Sequence, residues 1–431
     1  MKARQFLHHT AYGYIGIGTL TVVLGLAIFL FWKENILLLE GTSAHAPARQ
    51  AVNAGIVPPQ PQLSPLPQKV NGIYLTSWSA GSERKVTQVL ELIKGTSINA
   101  VVVDLKDYSG YVGYDSQIPE VMAYKSRNPR IRDLNALIKR FHDAGIYVIG
   151  RITVFQDPVL AKARPDIAIH SKRKLGSSSS LSSSSTLWLD QLKLAWVDPA
   201  SRDTWDYVIA IGKEASSRGV DELNFDYVRF PADGRLDDMI FPISNASTAK
   251  RDVIRNFFAY LRDAFPDQKI SADIFGMALI NTDDSGIGQV LEDVYSYFDY
   301  VSPMIYPSHF YAGFLGYKNP AAHPYEVVKY SMEKAIERLT TYNQQLTINT
   351  SSSATELPIV GRSPAEALAQ TGRSPVKLRP WLQSFNLGAT YTTAMIRAQI
   401  EANAKSAGSE NNAMNGFLLW DPQNRYNKAA L

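Results

Sequence analysis

From residue 70 onward, eight short apolar runs recur along the chain, separated by stretches that read as amphipathic helices. The runs are 70–78 (VNGIYLTSW), 98–105 (INAVVVDL), 146–154 (IYVIGRITV), 221–228 (DELNFDYV), 269–275 (KISADIF), 299–306 (DYVSPMIY), 379–385 (RPWLQSF) and 415–420 (NGFLLW). Helical patterns occupy 83–94, 134–144, 202–218, 251–264, 325–339 and 392–407; in the second, Leu134, Leu137, Ile138 and Phe141 share one face. Near-continuous apolar strands that alternate with helices imply a parallel sheet covered on its outside. Eight of them in roughly 360 residues suit a closed (β/α)8 TIM barrel, of α/β class, better than an open sheet. An open sheet would more often show a glycine-rich phosphate turn after its first strand. Here that strand runs into TSWSAG, and neither G-x-G-x-x-G nor a Walker A sequence occurs. Only residues 421–431 follow the last run, so the closing helix is expected to be missing or replaced.

The N-terminal third of the first hundred residues is different in kind. After a short basic segment (1–11), Tyr12 to Trp32 form 21 residues without a charge, between Lys2 and Arg4 on one side and Lys33 and Glu34 on the other. At ~1.5 Å per residue such a helix spans roughly 30 Å, a bilayer's hydrocarbon core. Tyr12, Tyr14 and Trp32 sit where interfacial aromatics belong. The segment 12–32 therefore reads as a transmembrane anchor, entered N-inside, with the remainder extracytoplasmic at the cell membrane. A cleaved signal is the competing reading, because Ala44-His45-Ala46 resembles a cleavage site; the apolar run, however, exceeds the usual 7–15-residue core of a signal peptide. Residues 33–69 contain Pro47, Pro58, Pro59, Pro61, Pro65 and Pro67 and little periodic apolar content, the pattern of a semi-extended spacer. A serine-rich insert near 176–186 interrupts the connection after the third strand and is expected to be disordered.

Composition excludes several function classes. Forty-four basic and 40 acidic residues are mixed along the chain for a net charge of +4, which gives no polyanion-binding field, so no nucleic-acid partner is expected. With no cysteine there is no thiol nucleophile or cysteine-held metal. The seven histidines include no H-E-x-x-H, and no G-x-S-x-G elbow occurs. Neither a metal nor a cofactor is expected.

In a barrel the C-terminal strand ends converge on the site, which explains why DELNFDYVRFP breaks an apolar strand with Asp226, Arg229 and Pro231. The other strand ends supply Trp78, Asp104, Arg151, Asp273, Tyr306, His309, Trp381 and Trp420. Paired carboxylates serve glycosidic-bond cleavage, one attacking or stabilising the anomeric carbon and one protonating the leaving oxygen. Aromatic faces stack on the apolar faces of sugar rings. Arg229, three residues past Asp226, is placed to hold a neighbouring carboxylate ionised. Each feature has a plainer reading. Asp107, Asp157 and Asp198 suit helix caps or turns, and any single tryptophan can be core packing.

The segments GIYLTSWSAG, NAVVVDLKDYSG, GIYVIGRITVFQDP, WVDP, ELNFDYVRFP, SADIFG, SPMIYPSHF, PYEVV and RPWLQSF resemble, in order, a bacterial family of glycoside-hydrolase-like TIM barrels. The resemblance runs from about Val70 to Tyr426. It implies the barrel and a carbohydrate-active role, with a distant similarity to α-amylase-type barrels. Those place a nucleophilic Asp at strand four and an acid at strand five, the positions of Asp226 and Asp273 here. The fifth-strand acid of that class is Glu, so Asp273 is a departure. The expectation is a glycoside hydrolase acting on an envelope or extracellular polysaccharide or oligosaccharide. Asp226 and Asp273 would be catalytic. Trp78, Asp104, Arg151, Arg229, Tyr306, His309, Trp381 and Trp420 would bind substrate. The alternative is a non-catalytic carbohydrate-binding or scaffold protein on the same barrel.

Overall fold

The computed structural model describes residues 57–175, 180–244, 247–350, 375–406 and 412–431. The apolar run at 12–32 and the spacer up to residue 56 lie outside the described residues, as do residues 176–179 of the insert. Among the described residues no helix is long and apolar enough to cross a membrane.

Eight parallel strands close into a barrel: β1 (Val70–Leu75), β2 (Ala100–Lys106), β3 (Tyr147–Thr153), β4 (Glu222–Asp226), β5 (Lys269–Phe275), β6 (Tyr300–Met304), β7 (Lys377–Leu378 with Trp381–Gln383) and β8 (Gly416–Trp420). Closure is made by β8 on β1, in register from Val70 with Gly416 to Ile73 with Leu419. All strand boundaries fall within three residues of the apolar runs. Around the sheet lie α1 (Glu83–Ile93), α2 (Leu134–His142), α3 (Arg202–Ser217), α4 (Lys250–Ala264), α5 (Leu291–Tyr297), α6 (Pro324–Thr350) and α7 (Thr393–Ser406). Polar side chains start several of these helices: Ser82, Asp133 and Ser201 each accept a backbone N–H of the first turn. Helix α5 has no such cap and only seven residues, too few for the 3.6-residue period to mark it in the sequence.

Strand alternation divides the interior into two cores. On β4, Leu223 and Phe225 face outward into the large cluster shared with the helices. Glu222, Asn224 and Asp226 occupy the alternate positions and enter the lumen. On β2 and β3, Val103, Leu105, Val148 and Ile152 lie in the outer cluster, while Val102, Tyr147 and Ile149 join an inner cluster with Tyr74, Trp381 and Leu418. The lumen is thus apolar and aromatic beside β1, β2 and β8, and polar beside β4 and β5.

The ends of the chain's folded part depart from the sequence reading at one place and meet it at the other. The last residues of the spacer run against the barrel's N-terminal end: Gln60 N donates to Arg218 O (3.0 Å) and Leu63 N to Asp221 Oδ1 (2.6 Å). Leu63 also packs on the inner cluster. Proline-rich chain makes no hydrogen bonds within itself, so its free backbone groups are available to the loops beneath the barrel. At the other end, as expected, no closing α-helix follows β8, only a 3-10 turn at Lys428–Ala430. The tail instead crosses the closing seam, where Asn424 Nδ2 and Tyr426 Oη both donate to Tyr74 O (2.9 and 2.8 Å).

The loops above the strands are elaborate. After β2 the chain forms Val112–Tyr114 and Arg127–Ile131, which extend the sheet. After β3 and β4, His170–Ser171 and Met239–Ile240 pair antiparallel beside the mouth. The described residues of the insert, 180–185, form a turn and part of a short 3-10 helix (Ser184–Thr186), and Thr186 is buried against His170.

Candidate active site

Arg151 on β3 is the centre of the mouth. It is 2% exposed, and its fork meets carboxylates from three other strands. Nη1 lies 2.6 Å from Asp104 Oδ1 on β2, and Nη2 lies 2.5 Å from Asp226 Oδ2 on β4. Nε lies 3.2 Å from the same Asp226 oxygen and 3.8 Å from Asp273 Oδ2 on β5. Strand register sets this up, since Asp104 is paired with Arg151 across β2–β3, and Thr153 with Asp226 across β3–β4. Because both oxygens approach one nitrogen, at 3.2 and 3.8 Å, the Oδ2 atoms of Asp226 and Asp273 are at most 7.0 Å apart.

Three carboxylates share one guanidinium in a nearly closed space, so they cannot all be charged cheaply. The strain falls on Asp273 and Asp104. Burial, and then the charge of Asp226, pushes the Asp273 carboxyl well above the usual carboxylate range. Arg151 and hydrogen bonds from Asn224 and Trp381 oppose that rise. Asn224 Nδ2 donates to Asp273 Oδ1 at 2.8 Å and Trp381 Nε1 to the same oxygen at 2.7 Å. Asp104 is pushed up to about 6, again mainly by burial. Tyr74 donates its hydroxyl to Asp104 Oδ2 at 2.5 Å. Asp226 is gripped from its own backbone as well: Tyr227, at φ +55°, turns its N–H back onto Asp226 Oδ1 at 2.6 Å. A bulky residue at positive φ is held against its steric preference, here immediately after the carboxylate it bonds.

The structure brings Asp226, Asp273, Asp104 and Arg151 together, with Trp420 and Tyr306 beside them. Trp420 is half-buried, stacks on Tyr74 with centroids 3.8 Å apart, and has the Arg151 guanidinium 5.1 Å from its ring. Tyr306 is buried and touches His309 and Phe385 edge-on. Burial pulls the half-buried His309 down to about 4, so it is neutral at physiological pH, and its Nδ1 meets Ser308 Oγ at 2.9 Å.

Three expectations need correction. Arg229 is not the cation beside Asp226, because its side chain turns into an aromatic box formed by Trp196, Tyr227 and Phe275; Arg151 holds the carboxylates instead. Trp381 offers no stacking face, being fully buried with its indole N–H spent on Asp273. Trp78 is 65% exposed but stands apart from the mouth cluster. It stacks under Arg130 (3.8 Å) beside a separate groove that Pro129 and Arg132 also line. The plainer readings fit elsewhere: Asp157 caps Leu160 N (2.8 Å), Asp198 accepts from Ala200 N (3.0 Å), and Asp107 closes a turn on Ser109 N (2.8 Å). Asn224 and Tyr74 were not singled out from the sequence. The signal for Asn224 was its spacing, since Glu222, Asn224 and Asp226 are polar at every second position of an apolar strand.

One comparison with a solved structure agrees with this architecture. The chain is similar in structure to the glycoside hydrolase domain of PgaB (BpsB) from Bordetella bronchiseptica, at 12% identity and TM-score 0.50, over 83% of this chain and 95% of that one. A hypothetical protein from Ruminiclostridium thermocellum ATCC 27405 is 37% identical over 50% of this chain and 98% of that one, with TM-score 0.42. An α-galactosidase from Thermus thermophilus, TtGalA, is 13% identical over 85% of this chain and 60% of that one, at TM-score 0.44. Among curated proteins none is similar. A family model matches residues 72–349 and 340–426, and the chain accordingly belongs to the family described as "Putative glycosyl hydrolase domain".

Proposed function

We propose that this barrel hydrolyses a glycosidic bond by retention, with Asp226 as nucleophile and Asp273 as acid and then base. One observation carries the reading: two carboxylates from adjacent strands lie within 7.0 Å of each other, one clamped by a guanidinium and the other raised far above the carboxylate range by burial. Retaining enzymes separate the pair by about 5–5.5 Å and inverting ones by about 6.5–9.5 Å, so the bound admits the first and little of the second. Asp226 Oδ2 would attack the anomeric carbon as Asp273 gives its proton to the departing oxygen. Asp273, now a carboxylate, would take a proton from water as that water releases the sugar from Asp226. Arg151 holds Asp226 in position for attack and for release of the sugar, and Asp104, tied to Tyr74 and Arg151, fixes the fork.

The substrate in this reading is an envelope or extracellular polysaccharide, with the barrel held at the outer face of the cell membrane by residues 12–32. Alkaline-washed membranes should retain the full chain and release one that begins at residue 57. A mature N-terminus near Pro47 would replace the anchor with a cleaved signal. The catalytic reading is tested by incubating wild type and Asp226→Asn with a panel of bacterial oligosaccharides. Hydrolysis by the wild type alone, with binding preserved in the variant, is the expected result. A wild type that binds sugar and cleaves none would assign the barrel to non-catalytic carbohydrate binding.

A further inference from the structure

Four arginines are buried among the described residues: Arg151, Arg229, Arg262 and Arg379. Three are ion-paired, Arg151 with Asp104 and Asp226, Arg262 with Asp299, and Arg379 with Glu222. Arg229 has no ion-pair partner among the described residues. Its Nη1 donates to Phe230 O at 3.0 Å, and its guanidinium carbon lies 4.5 Å from the Phe275 ring centroid, 4.9 Å from that of Trp196 and 5.4 Å from that of Tyr227. Aromatic faces offset part of the desolvation of a cation, but they leave its N–H donors unmet. Neither Nε nor Nη2 is among the buried polar atoms that lack a partner, so both keep access to solvent. These two donors form the side-on edge of the guanidinium, the edge that grips a carboxylate with two parallel hydrogen bonds.

The position is as telling as the vacancy. Arg229 follows Asp226 by three residues, and Phe275 follows Asp273 by two, so the open edge stands at the same mouth as the proposed catalytic pair. Phe275 and Tyr227 are half-buried and flank it with ring surface. Burial outweighs the more distant charges of Asp233, Asp226 and Asp190, none of them ion-paired to it, and pulls the Arg229 guanidinium down from its ordinary value, so an incoming anion would meet a cation already stripped of most of its water.

We infer that Arg229 is a specificity residue that pairs with the carboxylate of an acidic sugar unit in the glycan, an inference that rests on the glycosidase reading for its placement beside the scissile bond. A planar carboxylate matches the Nε–Nη2 edge and fits between flat aromatic walls. A neutral sugar would lay only hydroxyls there and leave a buried charge unpaired, the kind of mismatch that discriminates strongly.

The test measures binding of glucuronate, galacturonate, glucose, galactose and glucose 6-sulfate to the full chain by calorimetry, with Trp196 fluorescence as a local reporter. At least one uronate is expected to bind tenfold or more tighter than its neutral counterpart. Arg229→Gln should remove that preference, and Arg229→Lys, which keeps the charge without the fork, should retain part of it. If Arg229→Gln does not fold, the Lys variant carries the comparison. No uronate preference in the wild type, or a preference unchanged in the variants, overturns the inference. Preference for the sulfate ester over both uronates overturns the choice of carboxylate. These probes contain no glycosidic bond, so the outcome is independent of whether Asp226 hydrolyses anything.

Discussion

Two arginine–carboxylate clusters stand one above the other inside this barrel, and they differ in charge balance. The lower one is even: Arg379 and Glu222, both fully buried, meet through both guanidinium ends. Ser271 adds a hydroxyl to Glu222 Oε1 at 2.6 Å, and the Tyr300 ring lies 4.5 Å from the Arg379 guanidinium. The upper one is uneven, with Asp104, Asp226 and Asp273 around Arg151. Asn224 links the two levels, donating to Ser271 Oγ (3.0 Å) below and to Asp273 (2.8 Å) above. A balanced buried pair needs no added proton to neutralise it and serves structure. A surplus of carboxylates in the same medium must hold a proton, and a held proton is what a general acid delivers. The difference in stoichiometry, not in residue type, separates scaffold from site.

The largest effect should follow removal of the clamped carboxylate. Asp226→Asn should lower kcat by on the order of 10⁴-fold, as loss of a catalytic residue does, while the melting temperature stays within a few degrees. Denaturant unfolding beside the assay would check both; a variant that unfolds would move Asp226 to the structural side of the comparison. The lower cluster should respond in the opposite sense. Glu222→Gln strands the Arg379 charge and should destabilise the protein by about 3–5 kcal/mol. Replacing Glu222 and Arg379 together by methionine should destabilise it less than the single change. Equal losses would show that the pair is not balanced.

Asp273→Asn comes next and should divide substrates by leaving group. Losses of about 10²- to 10⁴-fold are expected on oligosaccharides, whose departing alcohol needs a proton. A nitrophenyl glycoside of the same sugar needs little protonation and should lose far less. Equal losses on the two would remove the acid role and leave Asp273 as a partner that orients Asp226.

The lower level was nearly invisible in the sequence, and the upper one partly legible, for a physical reason. Strand ends are exposed to pattern reading: Asp226 breaks an apolar run just where a barrel opens, and Asp104, Arg151 and Asp273 do the same. The eight runs located the barrel because outward-facing residues such as Leu223, Phe225, Val148 and Ile270 repeat against helices with their own period. Partner choice is another matter. Arg229 is near Asp226 in sequence and Arg151 is 75 residues away, yet register across β3 and β4 gives the carboxylate to Arg151. A left-handed turn at Tyr227 re-aims the chain after Asp226, and spacing along an extended strand could not announce it. Likewise, nothing local distinguishes Trp381, which is wholly enclosed, from Trp420, which lies at the mouth; burial is decided by neighbouring strands.

The smallest effect offers the sharpest check on the uneven cluster. Trp381 Nε1–H donates to Asp273 Oδ1 at 2.7 Å, and this bond favours the charged form of that carboxyl. A hydrogen bond to a charged acceptor is worth about 1.5–3 kcal/mol, enough to move a titration. Trp381→Phe removes the donor and keeps an aromatic ring in the enclosed site. The charged form of Asp273 loses support, so its pKa should rise further. Activity that depends on a protonated Asp273 falls as pH rises through that pKa, so the basic limb of the kcat/KM profile should move to higher pH. Near the optimum the rate should change by less than about tenfold, since the acid is protonated there in both proteins. A limb that stays in place would mean that the proton limiting activity belongs to another group, and Asp104, held at about 6 beside the same guanidinium, would be the one to examine through Asp104→Asn. A limb that moves down would contradict the direction in which this hydrogen bond acts and, with it, the assignment of the surplus proton to Asp273.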